Sequence, residues 1–344
     1  MKDKILVTGG TGFIGSHTVV ELQNAGYEVV IVDNLSNSRE EVVDSIEQIT
    51  GERPSFEKVD CLDKESLKNV FEKYAGIRAI IHFAASKAVG ESVQKPLMYY
   101  RNNLGSLLNL LDLMPQYGVE GIVFSSSCTV YGQPDVLPVT ESAPIKKAES
   151  PYGNTKQICE AIIQDDVKSG APISAILLRY FNPIGAHPSG LIGELPNGVP
   201  QNLVPFITQT AMGIREQLSV FGDDYDTPDG SCIRDYINVV DLAKAHVHAI
   251  SRILQKKQEE PVEVFNVGTG RGLSVLELVH AFEASTGVKL NYKIAGRRAG
   301  DIVKVWADPK KANEVLGWHA EETIEDTLRS AWKWQVHLRE TGIQ

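Results

Sequence analysis

The chain is poor in cations, in cysteine and in long apolar runs. Its 344 residues carry 34 lysines and arginines against 44 aspartates and glutamates, a formal net charge of −10. Proteins that grip nucleic acid normally present a basic face, so this balance argues against a nucleic-acid partner. No uncharged apolar stretch reaches the roughly 18 residues of a membrane span, and no membrane partner is expected. The first apolar run follows Lys2-Asp3-Lys4 and meets Gly9 too soon for the core of a signal peptide. The four cysteines, Cys61, Cys128, Cys159 and Cys232, form no CxxC pair. A disulfide scaffold and a zinc site are therefore not expected, no metal is expected, and a reducing cytoplasm is the expected location. What remains is ordinary globular composition, with 42% hydrophobic and 23% charged residues.

The first half alternates short β-rich runs with helix-like stretches. Apolar runs at Lys4–Thr8, Glu28–Asp33, Ser55–Asp60, Arg78–Phe83, Gly121–Ser125 and Ile173–Tyr180 are separated by amphipathic segments, among them Pro96–Tyr117 and Pro151–Lys168. Continuous apolar strands between helices imply an α/β fold, a doubly wound parallel sheet covered on both faces. After Tyr180 the rhythm loosens into Pro/Gly/Asn-rich loops. The expected organisation is a nucleotide-binding domain over 1–181 and a smaller, irregular α/β domain over 182–344. Val262–Val267 is a strand candidate to return to the first sheet.

Thr8-Gly9-Gly10-Thr11-Gly12-Phe13-Ile14-Gly15 follows the first strand. Gly9, Gly12 and Gly15 permit a tight turn and close approach of a pyrophosphate, and the helix that follows offers free N–H groups. Asp33 ends the second strand, where a carboxylate accepts from an adenosine ribose and repels a 2′-phosphate. The expected cofactor is NAD rather than NADP.

Ser150 and Pro151 read as the cap and first residue of a helix. Tyr152 and Lys156 then share one helical face. A tyrosine titrating near ~10 is a poor base at neutral pH. Lowering it by three decades needs about 4 kcal/mol, which a nearby ammonium and an oxidised nicotinamide can supply between them. Ser125-Ser126-Ser127 closes the strand that faces the ligand crevice of such a sheet. His246 and His248, two apart in a helical stretch, read as surface or packing residues. Cys128 reads as packing, and Asp224, Asp226 and Asp229 lack the pattern of a calcium loop.

Glycine loop, serine cluster and Yx3K in this order resemble the extended short-chain dehydrogenases/reductases. TGGTGFIGSH, VDNLSNS, HFAASKAVGESVQKPLMYYRNN, FSSSCTVYG, SPYGNTK and LLRYFNPIGAHPSG, followed by PQNLVPF, FGDDYDTPDG, IRDYINVVDLA, FNVGTGRGLSVLE and RRAGDIVKVWAD, resemble the UDP-glucose 4-epimerase family over nearly the whole chain. The resemblance implies an isomerase of galactose metabolism. It makes Tyr152 the base, Lys156 the group that tunes it and Ser127 its hydrogen-bonding partner. It lines the NAD site with Phe13, Ile14, Asp33, Asn34, Asn37, Ser38, Asp60, Cys61, Phe83, Ala84, Lys87 and Asn102, and puts Tyr180 and Phe181 beside the nicotinamide. Asn182, Asn202, Phe221, Arg234, Arg298 and Asp301 would hold the UDP-sugar, the arginines by charge-assisted hydrogen bonds to the diphosphate. The implied chemistry is oxidation at sugar C4 by bound NAD, rotation of the 4-keto sugar and return of the hydride to its other face.

Related dehydratases carry an acidic pair where this chain has Cys128-Thr129, and related decarboxylases a glutamate at the position of Thr129. A non-catalytic NAD-sensing protein would typically lose the Tyr152/Lys156 pair. Val305 stands where family members restricted to plain hexoses carry tyrosine, so UDP-N-acetylglucosamine and UDP-N-acetylgalactosamine are expected as further substrates. The apolar content of Pro96–Tyr117 and Pro151–Lys168 leads to an expected homodimer, built on a four-helix contact.

Overall fold

The computed structural model describes residues 2–298 and 302–343. The first half runs β1 (Lys4–Thr8), α1 (Phe13–Asn24), β2 (Glu28–Asp33), α2 (Glu41–Thr50), β3 (Ser55–Lys58), α3 (Lys64–Lys73), β4 (Ile77–His82), α4 (Val89–Gln94), α5 (Pro96–Leu113), β5 (Gly121–Ser127), α6 (Pro151–Lys168) and β6 (Ser174–Tyr180). It continues with β7 (Asn182–Ile184), α7 (Leu203–Ala211), β8 (Leu218–Phe221), β9 (Ile233–Arg234), β10 (Tyr236–Asn238), α8 (Val239–Leu254) and β11 (Val262–Val267). The last elements are β12 (Leu273–Ser274), α9 (Val275–Thr286), β13 (Tyr292–Ala295), β14 (Lys304–Val305) and α10 (Ile324–Thr341).

Seven strands form one parallel sheet in the order β11-β6-β5-β4-β1-β2-β3. Alternate residues of each strand point to opposite faces. Ile5, Val7, Val29, Ile31, Ile81 and Val123 therefore join one core, under α1, α2 and α8. Leu6, Val30, Val32, Ile80, Ile122 and Phe124 join the other, under α3, α5 and α6. Burial on both faces is why these strands are apolar without a break. The strand order reverses between β1 and β4, which opens a crevice at their carboxyl ends.

Residues after 181 do not form one separate body. α8 packs with the α1 face, and β11 pairs with β6 along its length, Val262 opposite Ala175 through Val267 opposite Tyr180. The remainder is a smaller lobe around Val204, Ile207, Val220, Leu278, Phe282 and Leu328. Its sheets are short: β10-β7, β12-β9-β14 and β13-β8. β5 runs two residues beyond the apolar stretch and ends at Ser127, because Ser126 and Ser127 keep the ladder with Arg179 and Tyr180. Among the other elements named from sequence the differences are a residue or two at the ends, apart from Met114–Tyr117, which tightens into a 3-10 turn after α5. β7 and the start of α7 fall in a stretch expected to be loop, and α4 and α10 in stretches where no element was expected.

Candidate active site

Three side chains meet at the carboxyl edge of β5 and the start of α6. Ser127 is the last residue of β5, and its Oγ accepts from Thr129 N at 3.2 Å. α6 starts where a capping serine and a proline place it: Ser150 Oγ accepts from Gly153 N at 3.1 Å and Pro151 occupies the first turn. That fixes Tyr152 and, one turn on, Lys156, both buried. Lys156 Nζ donates to Ser125 O at 2.6 Å and lies 4.9 Å from the Phe124 ring centre and 5.9 Å from that of Tyr152.

The electrostatics differ from the simple expectation. Burial pushes the Tyr152 phenol above its usual range, the neighbouring Tyr180 adds to this, and the Ser127 hydroxyl pulls it back. Lys156 is lowered to about 8 by burial. Its ammonium is spent on the Ser125 carbonyl rather than on the phenol. The folded chain therefore presents a protonated Tyr152 beside a weakened cation.

The first half offers a cradle for a dinucleotide. Gly9 has φ +72°, and a Cβ there would lie 2.8 Å from Ala84 N. A Cβ on Gly15 would come within 2.1 Å of Gly9 O, so only glycine lets α1 start this close to β1. Gly12 is the N-cap of α1 and makes no side-chain cap bond. The first-turn N–H groups at Phe13 and Ile14 thus face an anion site. Asp33 is buried and accepts from Thr11 N at 3.2 Å, Leu35 N at 2.9 Å and Ser38 Oγ at 3.1 Å. It ties the glycine loop to the loop after β2, which carries exposed Asn34 and Asn37. Asn34 Nδ2 donates to Asp60 Oδ2 at 3.0 Å, and Cys61 is buried next to it, its thiol pushed up to about 12. Phe83 N donates to Thr8 O at 3.0 Å, and Ala84 N reaches Thr8 Oγ1 at 3.4 Å. Lys87 Nζ lies 6.0 Å from the centre of the Phe13 ring, and Asn102 Nδ2 donates to Ser86 Oγ at 3.2 Å. Tyr180 is buried with its hydroxyl 2.5 Å from Ser125 Oγ, and Phe181 is buried at the start of the next loop. Glycine cradle, uncapped helix and buried carboxylate fit NAD.

The second lobe supplies the opposite wall. Asn182 opens β7 and donates its N–H to Asp235 O at 3.0 Å. Asn202 is the N-cap residue of α7. Arg234 and Val305 are neighbours in register on β9 and β14, and Arg234 lies close enough to Cys128 for its charge to act on that thiol. Phe221 is 40% exposed, with the Arg298 guanidinium 5.6 Å from its ring centre. Val305 is buried among Val130, Tyr131, Val139 and Phe181. Asp301 lies outside the described residues. Cys128 is inert as a thiol, since burial raises it to about 12. His246 is fully buried between the rings of Phe83 and Tyr180, so packing is its role and a surface position is not. Among the described residues no cluster of metal-binding side chains occurs.

Three features were not among the site residues expected from sequence. Glu160 binds Arg179 through both oxygens, at 2.9 and 2.6 Å, and accepts from Ser126 Oγ at 2.5 Å, next to Ser127 in the chain. Asp235 accepts four hydrogen bonds in the second lobe. Glu194 lies between Lys87 and Asn202. Only Asp235 had a sequence signal, its place beside Arg234.

A family model described as GDP-mannose 4,6 dehydratase matches residues 6–331. A UDP-glucose 4-epimerase of Dictyostelium discoideum is 52% identical over 333 residues, covering 97% of this chain and 96% of that protein. One from Bacillus subtilis is 52% identical over 331 residues, covering 96% of each. The crystal structure of UDP-glucose 4-epimerase from Bifidobacterium longum in complex with NAD+ and UDP superposes with a TM-score of 0.93, at 48% identity, over 97% of this chain and 98% of that one. With a glycine cradle, a Ser127–Tyr152–Lys156 corner and likeness of this extent along its whole length, the chain belongs to the UDP-glucose 4-epimerase family of the extended short-chain dehydrogenases/reductases.

Proposed function

We propose that this protein interconverts UDP-galactose and UDP-glucose by inverting sugar C4, with NAD retained across turnovers. The observation that carries the reading is the neighbourhood of Tyr152. The phenol stands beside the Ser127 hydroxyl, and the residues that follow, Cys128 and Thr129, include no acid for elimination or decarboxylation. Bound NAD supplies two-electron redox chemistry at C4 and a positive charge that favours the phenolate. Tyr152 takes the proton of the sugar 4-hydroxyl, directly or through Ser127, and returns it after the 4-keto sugar has presented its other face. Lys156 holds the corner together through Ser125 O. Arg234, Arg298 and the amides of Asn182 and Asn202 grip the nucleotide diphosphate, which leaves the hexose free to turn. The test is to incubate the purified protein with UDP-galactose and no added NAD. UDP-glucose forms; a 4-keto-6-deoxy product, or no turnover, overturns the reading.

Three finer statements belong to the same proposal. Val305 is smaller than tyrosine and sits in register with Arg234, so acetylated UDP-hexoses are accepted too. Overpacking costs about 1–3 kcal/mol, so Val305→Tyr removes that activity while sparing UDP-galactose. A homodimer is supported by Val93, Leu97 and Leu108, exposed on α4 and α5 at 62%, 67% and 47%. Light scattering at micromolar concentration measures it, and a monomeric mass refutes it. A reducing cytoplasm is supported by four cysteines that are all unpaired, and no helix among the described residues is long and apolar enough to cross a membrane.

A further inference from the structure

Glu194 lies in the loop between β7 and α7, outside every sequence motif. One carboxylate oxygen, Oε1, accepts from Asn202 Nδ2 at 2.6 Å and from Lys87 Nζ at 3.4 Å. The two donors come from different sides of the crevice. Lys87 follows β4 at the strand-order reversal and reaches over Phe13 at the head of α1. Asn202 belongs to the second lobe and heads α7.

Two observations indicate that this bridge is built rather than incidental. Asparagine is among the best N-cap residues, because its side chain accepts from first-turn N–H groups. Asn202 has the cap backbone, φ −93° and ψ 149°, yet makes no cap bond, and its amide is turned to Glu194 instead. The Glu194 backbone is also held firmly. A bridge between Ala186 and Gly193 closes the loop, Trp334 Nε1 donates to Glu194 O at 3.0 Å, and Lys333 Nζ donates to Pro188 O at 2.6 Å. A Cβ on Gly193 would lie 2.4 Å from Trp334 Cδ1, so the indole packs straight onto the chain. The Glu194 side chain is 12% exposed.

We propose that Glu194 is a positioning residue that couples the two ligand sites, linking the dinucleotide side to the sugar-nucleotide side through Lys87 and Asn202. The inference rests on the proposed function. Calorimetric titration with UDP, steady-state kinetics with UDP-galactose and thermal melting of the purified protein test it. Glu194→Ala weakens UDP binding and raises KM by about tenfold, the worth of a charged hydrogen bond, with kcat and melting temperature little changed. Glu194→Gln, which keeps an acceptor for Asn202, restores most of the UDP affinity. Lys87→Met shifts UDP affinity by about threefold in the wild-type background and leaves it unchanged in the Glu194→Ala background, because the path between the sites is gone. The inference is overturned if Glu194→Ala binds UDP within about twofold of wild type, or if Lys87→Met has the same effect in both backgrounds. It is also overturned if Glu194→Ala lowers kcat and melting temperature together, the mark of a purely structural role. Wild-type protein that binds no UDP overturns the proposed function itself.

Discussion

Ser127 and Arg234 are placed by different means. Ser127 ends a seven-residue strand that pairs on both sides, with β4 and with β6, so a ladder of main-chain bonds sets its position. Arg234 sits on a two-residue strand between two other two-residue strands. What holds that region is a side chain, the Asp235 carboxylate, which gathers Thr269, Gly270 and Ala307 from separate loops. On the proposed roles, the chemistry stands on regular structure and the substrate grip on a buried polar hub. Substitutions in the first region should act on kcat, and those in the second on KM.

The largest effect tests the first half of that statement. Tyr152→Phe should lower kcat by about 10²–10⁴, the usual worth of a general base, while UDP binding and the melting temperature stay near wild type. Next comes the pair behind the site. Burial works against the Arg179 charge, and its bonds to Glu160 more than restore it. Glu160→Gln leaves that guanidinium buried without its counter-charge, which costs about 3–5 kcal/mol. Glu160 lies one turn beyond Lys156 on α6, so thermal melting and kcat should fall together, with KM for UDP-galactose little moved. A rise in KM with unchanged kcat would break the comparison.

The regular half was the more legible from sequence for the same physical reason. A strand buried on both faces must be apolar throughout, and a helix start is marked by Ser150 and Pro151, so β1 to β6 and α6 show in the order of residues alone. The glycine loop was legible because close approach of backbone admits nothing larger than glycine. The contacts of Asp235, Glu160 and Glu194 were not legible, although Asp235 stands beside Arg234 in a quoted motif. Their partners lie far away in the chain: Glu160 meets Arg179, Asp235 meets Thr269 and Ala307, and Glu194 meets Lys87. No local spacing encodes such pairs. The direction of the Tyr152 shift was hidden too, since it depends on the depth of burial and on Lys156 turning to Ser125 O.

Lys156 offers a pH test. Burial lowers it to about 8 from the ordinary 10.5 of an unfolded chain. Below pH 8 both states carry the proton and the folded state bears the full cost of a buried charge. Between pH 8 and 10.5 the unfolded state binds more protons, so this residue adds to stability as pH rises. Above 10.5 both states are neutral there. The stability of the wild type relative to Lys156→Met should therefore climb from pH 8 to 10.5, by about 3 kcal/mol in all, and stay flat on either side. Chemical denaturation of both proteins across pH 7 to 11 measures it. A difference that stays flat from pH 8 to 10.5 and falls only above 10.5 would mean that hydrogen bonding, not burial, governs the ammonium.

The smallest effect probes the second lobe. Asp235 Oδ1 accepts from Thr269 N at 2.9 Å and Thr269 Oγ1 at 2.6 Å, and Oδ2 from Gly270 N and Ala307 N, each at 3.1 Å. All four partners donate, so burial raises the carboxyl and the hydrogen bonds pull it back. The substitution Asp235→Asn keeps one acceptor oxygen and turns an NH₂ toward the donors that faced the other. Rotating the amide only exchanges which pair is left opposed. Leaving such buried donors unsatisfied costs about 1–3 kcal/mol. The loosened segment joins β14 to the loop after β11, so Val305 should lose its register with Arg234, while Ser127, Tyr152 and Lys156 lie on other elements. Asp235→Asn should then raise KM for UDP-galactose several-fold and leave kcat near wild type, the reverse of Glu160→Gln. If Asp235→Asn instead lowers kcat at constant KM, the hub serves the chemistry after all, and the division between ladder-held catalysis and hub-held binding fails.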